Sequence, residues 1–252
     1  MRGGGEQPLS RPLILCYHGV ADGWEHKLAV RTGALERQLT TLLRRRFRPA
    51  ASADVLAGRG RLLHVTFDDA YENVAENAVP VLERLGITAT IFAVSAFAAD
   101  GRPLDIPELA GEARAHPDEM RTLTWDGLRA LAERGFEVGS HTVTHPHLPR
   151  LSDAELEREL ADSRARCEDE VGRPCRLLAY PFGEHDGRVQ AAARRAGYTA
   201  AFGLRASTDR ANAYALPRVD FYRRDSLLRA MVKSSFVRDP ATSVLDRARA
   251  LR

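Results

Sequence analysis

A short apolar run that ends in two adjacent carboxylates constrains this chain more than any other stretch. Residues 62–70 read LLHVTFDDA, so Asp68 and Asp69 directly follow six strand-forming residues. Such a run is typical of a buried strand, most often in a parallel sheet. Ligands of α/β folds bind just outside the carboxyl ends of these strands. Two neighbouring aspartates there repel each other unless a cation, an arginine or a shared proton relieves them.

A second motif downstream offers nitrogen ligands. Residues 136–140 have the pattern of a short strand, and His141 and His145 follow it, four residues apart. Asp69 with two histidines is a ligand set that suits a divalent metal. Taken alone, each motif is better explained as a helix-capping aspartate or as surface histidines, because short motifs match by chance. Both motifs together, each after a strand-like run, favour a metal site.

Strand-like and helix-like segments alternate along the 252 residues, which predicts an α/β fold with a parallel sheet. About seven strands are expected, which favours a closed or nearly closed barrel in a single domain; an open doubly wound sheet is the alternative. The predicted strands are 12–18, 62–67, 88–94, 136–140, 176–180, 198–202 and 214–219. No glycine-rich phosphate-binding loop follows any of them, which argues against a dinucleotide or nucleoside triphosphate site.

The domain organisation is expected to be simple. Residues 1–11 are predicted as a flexible tail, residues 12–238 as the barrel, and residues 239–252 as a helical tail. A short helix is predicted at 226–232, just before the end of the barrel. Residues 96–120 are rich in glycine and proline and are predicted as an irregular insertion, either a wall or lid of the substrate site or a surface loop alone.

Charge and composition exclude several classes of protein. The formal net charge is +3, and the basic residues are dispersed, which argues against a nucleic-acid surface. No stretch approaches the roughly 20 apolar residues of a membrane span. No signal peptide is visible, so a cytoplasmic location is expected unless a leader was trimmed. The three cysteines have no metal-type spacing and are expected to be reduced thiols.

The residues themselves indicate hydrolysis. A metal on Asp69, His141 and His145 would have open positions for water and substrate, which also suits non-haem iron oxygenases. Asp68 favours hydrolysis of an amide or ester, because a carboxylate beside metal-bound water can act as general base. The leaving nitrogen then needs a proton, and His18, at the end of the first predicted strand, is the preferred donor, with His185 less suited.

Three motifs in order resemble the polysaccharide deacetylase family, also known as the NodB homology domain or carbohydrate esterase family 4. They are TFDD at 66–69, HTVTH at 141–145 and YPFG at 180–183. The resemblance covers roughly residues 12–220. It implies a distorted (β/α) barrel, one divalent metal and removal of acetyl groups from N-acetylated sugars. Zinc suits the ligands best, with cobalt, nickel or iron as alternatives.

The resemblance also implies residue roles. Asp68 matches the base, and the metal ligands match Asp69, His141 and His145. Tyr180, Pro181 and Phe182 match a substrate-binding motif whose aromatic residue lines the site. The backbone N–H of Phe182 would help to form an oxyanion hole.

The chain departs from the family pattern at three places. Ala70 replaces a glycine, and Ala179 replaces an arginine that orients the base. Arg218, which is also predicted among the substrate-binding residues, is a candidate replacement for that arginine or a surface ion-pair partner. A late Leu-x-His motif, the usual source of the acid, is absent. His18 is therefore predicted as the acid, as in the subgroup resembling poly-N-acetylglucosamine deacetylases. Trp24, in the following loop, is predicted to stack on a sugar ring.

Other functions remain open on sequence alone. One is a related hydrolase acting on a small non-sugar amide, and another is a non-catalytic carbohydrate-binding relative. The missing signal peptide favours an intracellular, nucleotide- or lipid-linked sugar precursor over a cell-wall polymer. The sequence does not indicate an oligomeric state.

Overall fold

The computed structural model describes residues 12–58, 60–204 and 212–225. The first half of the chain contains β1 (Leu13–Tyr17), β2 (Gly19–Val20), β3 (Ala29–Val30), α1 (Thr32–Arg44), β4 (Arg48–Pro49), α2 (Ser52–Leu56), β5 (Leu62–Phe67), a π-helical turn (Val74–Ala78) running into α3 (Val79–Arg84), β6 (Ala89–Ala93), α4 (Ser95–Ala98) and α5 (Ala110–Ala115). The predicted tails, 1–11 and 239–252, and the predicted helix at 226–232 lie outside the described residues.

The second half continues the alternation of helices and strands. It contains α6 (Trp125–Glu133), β7 (Glu137–Ser140), a 3₁₀ turn (Leu148–Arg150), α7 (Asp153–Val171), β8 (Leu177–Ala179), a second 3₁₀ turn (Pro181–Gly183), α8 (Gly187–Arg195), β9 (Ala200–Gly203), β10 (Leu216–Pro217) and β11 (Val219–Asp220). Each of the first six predicted strands therefore corresponds to an observed one, with bounds shifted by at most two residues, and the seventh, 214–219, covers β10 and the start of β11.

The main sheet is parallel and nearly closed. Its strand order is β10-β9-β8-β7-β6-β5-β1-β11, and β4 pairs with the start of β5. The two edge strands in this order, β10 and β11, belong to one stretch of chain, because only Arg218 separates them. The first half of that stretch pairs with β9 and the second half with β1. A single domain with a distorted (β/α) barrel is confirmed, and the open doubly wound alternative is wrong.

Burial explains why these segments form strands. Every residue of β1, β5, β6 and β9 is buried. Strands covered on both faces read as continuous apolar runs, and each fully buried large aliphatic or aromatic side chain contributes about 1.5–3 kcal/mol to folding. The hydrophobic core fills the barrel and the space between the sheet and its helices.

Helix ends follow the local sequence. Thr124 caps α6 by accepting a hydrogen bond from the backbone N–H of Gly127. Ser152 and Glu155 form the reciprocal capping box that opens α7, and Gly172, with φ of 71°, ends it in the left-handed conformation. These caps satisfy backbone groups that the first and last turns leave without partners.

The insertion at 96–120 is packed rather than loose. Leu104 and Met120 are fully buried, and an isolated β-bridge pairs Pro103 of the segment with Arg121 just after it. The next residue, Thr122, bridges to Tyr71 in the chain after β5. Cys16, Cys167 and Cys175 are free thiols, all buried. None of the helices in the described ranges has the length and apolar character needed to cross a membrane.

Candidate active site

The polar residues singled out by the sequence meet at the carboxyl ends of the strands. Asp68 and Asp69 follow β5, His141 follows β7, and His18 follows β1. Because all these strands are parallel neighbours or near neighbours, their carboxyl ends lie at one edge of the barrel. The structure thus brings together the two motifs that lie about 70 residues apart in the chain.

Asp69, His141 and His145 form a compact cluster. Their candidate ligand atoms all lie within 4.8 Å of one another. Oδ1 of Asp69 is 3.5 Å from Nε2 of His141 and 3.6 Å from Nε2 of His145. Nδ1 of His141 lies 2.8 Å from the carbonyl oxygen of Ala179, which assigns its proton to that nitrogen and leaves Nε2 as the free lone pair.

The donor set fits a divalent metal. Oδ1 of Asp69 is buried and has no hydrogen-bond partner among the described residues. Burial and the charge of Asp68 raise the pKa of Asp69 to about 8. Burial lowers the pKa values of His141 and His145, so both imidazoles are neutral at pH 7. One carboxylate and two neutral imidazoles are suitable ligands, and a bound cation would relieve the burial of Asp69.

The backbone around this cluster is strained. Six non-glycine residues in the described ranges have positive φ, and five of them lie here: Asp69, Ala70, Thr142, His145 and Phe182. Each such residue costs about 1–3 kcal/mol, and strain of this kind concentrates at functional sites. Ala70, with φ of 52°, adopts a left-handed conformation that glycine reaches at a lower cost than alanine does.

Glu159 of α7 holds the loop that carries the two histidines. Its Oε2 accepts hydrogen bonds from the backbone N–H groups of Val143 and Thr144, and its Oε1 accepts one from the Thr144 hydroxyl. These bonds offset part of the cost of the left-handed residues nearby. Glu159 is not recognisable from the sequence, because nothing local distinguishes it from the other acidic residues of α7.

Arg218 makes a buried bidentate pair with Asp68. Its Nη1 and Nη2 donate to Oδ1 and Oδ2 of Asp68 at 2.6 and 2.7 Å, and both residues are 2% exposed. The thiol of Cys16 lies 3.4 Å from Oδ2 of Asp68 as a further weak donor. Burial opposes ionisation of Asp68, but the Arg218 charge, the nearby His141 and the Arg218 hydrogen bonds outweigh it, so the pKa of Asp68 lies well below its ordinary value.

This pair corrects one prediction and answers a question the sequence left open. Arg218 does not line the cavity, so its assignment to substrate binding is wrong. It is also no surface ion-pair partner. It reaches Asp68 from the segment between β10 and β11, which closes the barrel. It therefore contacts the carboxylate that the family's arginine, replaced here by Ala179, is expected to orient.

His18 lies beside this pair at the edge of the cavity. It is half-buried, and a ring nitrogen lies within 4.8 Å of a carboxylate oxygen of Asp68. Its Nδ1 has no hydrogen-bond partner among the described residues. Burial lowers the pKa of His18 to about 4, against the opposing effect of Asp68.

Phe182 stands on the other side of the cluster. Its ring contacts the His145 ring edge-on and stacks on the His147 ring with centroids 4.0 Å apart. His147 in turn reaches two carboxylates, Glu184 through Nδ1 and Glu108 through Nε2, at 2.9 and 3.1 Å. His147 therefore links the insertion to the chain after β8, a role that the sequence analysis did not assign.

A cavity of about 920 Å³ opens over these residues. Asp68, Asp69, His18 and both histidines of the cluster line it, with Phe182. Ile106, Glu108 and Leu109 line it as well, so the insertion forms part of the cavity wall. The volume is within the range of small-molecule sites, about 300–1,000 Å³.

Three further predictions of substrate contact, at Trp24, Tyr180 and Pro181, are corrected by the burial of these residues outside the cavity wall. Trp24 is 0% exposed and absent from the cavity wall; its Nε1 donates to Glu112 at 2.6 Å, and its ring packs on His26 and Tyr71. Tyr180 and Pro181 are also buried outside the cavity wall, and the Tyr180 hydroxyl donates to the carbonyl oxygen of Tyr214. Of the motif at 180–182, only Phe182 faces the cavity.

A barrel with a carboxylate pair and two histidines at the carboxyl ends of its strands defines the class of the protein as a (β/α) barrel with a candidate metal centre. The chain belongs to the polysaccharide deacetylase family, whose sequence model matches residues 57–201.

Individual relatives agree with this assignment. The chain is 25% identical over 208 residues to YxkH of Bacillus subtilis, which is named as a candidate polysaccharide deacetylase, covering 77% of this chain and 64% of YxkH. It is also 25% identical over 170 residues to the poly-beta-1,6-N-acetyl-D-glucosamine N-deacetylase of Staphylococcus aureus, covering 63% of this chain and 54% of that enzyme. The chain thus spans less than two thirds of the length of either relative.

A solved structure supports the fold independently. The deacetylase PplD of Streptococcus pyogenes, solved in complex with acetate, superposes with a TM-score of 0.73 over 92% of this chain and 100% of that one, at 18% identity. At this level of identity the likeness concerns the fold alone.

Proposed function

We propose that the protein is a metal-dependent hydrolase that removes N-acetyl groups from a GlcNAc-containing saccharide. One observation supports the proposal most: Arg218 pairs with Asp68 beside three further side chains of the same cavity, Asp69, His141 and His145, whose candidate ligand atoms lie within 4.8 Å of one another. The name of the staphylococcal relative supports an N-acetylglucosamine substrate. A cavity of about 920 Å³ suits a saccharide better than a small amide.

In this proposal Asp69, His141 and His145 hold one divalent metal, with zinc as the first candidate. The metal would acidify a bound water and polarise the acetamide carbonyl. Asp68 accepts the proton of the attacking water. Its charge is available at neutral pH because the Arg218 guanidinium favours the carboxylate form. Arg218 orients Asp68 through two parallel hydrogen bonds and does not touch the substrate.

His18 supplies the proton that the leaving nitrogen needs. It lines the same cavity as Asp68, and the charge of Asp68 favours its protonated, proton-donating form against the effect of burial. The proton that Asp68 takes from water replaces the one that His18 gives up, so the cycle closes with acetate and free amine as products. Phe182 bounds the acetyl-binding end, and its backbone N–H is the proposed additional oxyanion donor.

Acetate release tests the proposal. Chitooligosaccharides and β-1,6-linked N-acetylglucosamine oligomers serve as substrates for the zinc-supplied protein, with Asp68→Asn and His141→Ala as variants. We expect release from at least one substrate and a loss of at least about 100-fold in both variants. Saccharide binding without acetate release would favour a non-catalytic carbohydrate-binding protein instead.

The acid assignment has its own test. We expect His18→Ala to lower kcat by about 10²–10⁴ and to change the alkaline limb of the pH profile. Full activity with an unchanged pH profile in His18→Ala would show that another group supplies the proton.

A further inference from the structure

The cavity wall is divided by charge. Its side formed by the insertion and the chain after β8 and β9 is mainly apolar, with Ile106, Leu109, Phe182 and Leu204. A second part of the wall comes from residues 25–38, in the chain that follows β1, and from the segment that follows β11, and these two strands pair in parallel. This basic side carries Lys27, Arg31, Arg37, Arg223 and Arg224, against two carboxylates, Glu25 and Asp225.

Two of these arginines have structural partners. Arg31 and Arg223 share the carboxylate of Glu25. Arg223 also donates to the carbonyl oxygens of Ala21 and Asp22, and its backbone N–H bonds to the carbonyl of Lys27. These bonds join the segment after β11 to the loop after β2 and make the basic side one continuous surface.

The other three cations are not neutralised within the described ranges. Lys27, Arg37 and Arg224 are exposed, and none of them makes an ion pair with a described residue. Asp225 is buried and accepts a hydrogen bond from the backbone N–H of Tyr222. Glu108, the acidic residue of the apolar side, is engaged by His147. The basic side therefore keeps an excess of positive charge that faces the cavity.

We propose that the saccharide carries an anionic group, a phosphate or a carboxylate, which binds to Lys27, Arg37 and Arg224. This inference rests on the proposed function, because the acetamide at the metal cluster fixes which way the saccharide points. Like charges collected at one side of a cleft raise the local concentration of an oppositely charged ligand. Guanidinium groups also match the planar or tetrahedral oxygens of carboxylate and phosphate.

Binding affinity tests the inference without requiring turnover. The zinc-loaded protein is titrated calorimetrically with GlcNAc 1-phosphate, with N-acetylmuramic acid as the carboxylate probe, and with the neutral methyl glycoside of GlcNAc. The variants are Arg37→Gln and Arg224→Gln. Arg44→Gln is the matched control, because Arg44 is an exposed arginine of the same helix, α1, that does not line the cavity.

We expect at least one anionic probe to bind more tightly than the neutral glycoside. Each cavity variant should weaken that binding about fivefold, and Arg44→Gln should not. The preference for the anionic probe over the neutral glycoside should also decrease when the salt concentration is raised from about 0.05 to about 0.5 M, because salt screens exposed charges. The probe that shows the preference identifies phosphate or carboxylate as the recognised group.

Two outcomes would overturn the inference. The first is equal affinity for neutral and anionic probes. The second is anionic binding that both cavity variants retain in full, which would place the anion at the metal cluster. Both outcomes leave acetate release from neutral oligomers intact, so they are distinct from failure of the proposed function.

Discussion

Replacing Asp69 by asparagine should stabilise the metal-free protein while abolishing metal binding. Asn has the same shape as Asp and tolerates the left-handed backbone found at this position, with φ of 68°. Its side-chain amide can donate to the Nε2 lone pairs of His141 and His145, which lie within 3.6 Å of Oδ1 of Asp69. The substitution removes an ionisable group that is buried beside Asp68, without removing a hydrogen bond of Oδ1.

The magnitude follows from proton linkage. Asp69 has an ordinary pKa of 3.8 when unfolded and a pKa of about 8 when folded, so between these values the folded state binds one more proton. The stability contributed by the protonated carboxyl is complete below pH 4 and is lost as pH rises towards 8. Between these pH values, this contribution to the free energy of unfolding falls by about 1.4 kcal/mol per pH unit. The free energy of unfolding of Asp69→Asn relative to wild type should therefore increase by about 2–3 kcal/mol between pH 5 and pH 7.

Urea unfolding of both chelator-treated proteins at pH 5, 6, 7 and 8 measures this difference. Comparing variant with wild type at each pH cancels the contributions of His18, His141 and His145, whose lowered pKa values act in the opposite sense. A pH-independent difference, or a variant that is less stable than wild type at pH 8, would refute the reasoning. Added zinc should stabilise wild type and not Asp69→Asn.

Three further predictions concern residues around the site. Arg218→Met should cost about 3–5 kcal/mol of stability in urea unfolding and lower kcat, because it leaves Asp68 buried without its partner; adding Asp68→Asn should recover part of the stability but no activity. His147→Ala should raise KM about 2–10-fold with kcat nearly unchanged, because Phe182 loses its stacked neighbour; an unchanged KM would show that the stack does not position Phe182. Trp24→Phe should cost about 1–3 kcal/mol through the lost bond to Glu112 and leave saccharide affinity unchanged by calorimetry; weaker binding would contradict its burial outside the cavity.

The elements of this fold were predictable where the signal is local. The apolar run of β5, the N-cap at Thr124 and the capping box at Ser152 each specify their structure within a few residues. The grouping of Asp69, His141 and His145 was also predictable, because the carboxyl ends of parallel strands share one edge.

What the sequence did not reveal depends on distant contacts. Trp24 has the sequence context of an exposed loop aromatic. It is nevertheless buried, and its Nε1 donates a hydrogen bond to Glu112, 88 positions along the chain. Arg218 reaches Asp68 only because the last strand segment closes the barrel beside β1. The support of the histidine loop by Glu159 and the left-handed conformations around it follow from packing and leave no pattern in the residues nearby.

The most direct measurement of the central claim is a zinc titration of chelator-treated protein with acetate release as the readout. We predict negligible release without metal, a linear rise with added zinc and a break at one equivalent per chain, with no such rise in His145→Ala. Acetate release that is equally fast in metal-free protein, or a response to zinc that His145→Ala retains, would contradict the assignment of Asp69, His141 and His145 as the ligands of the catalytic metal.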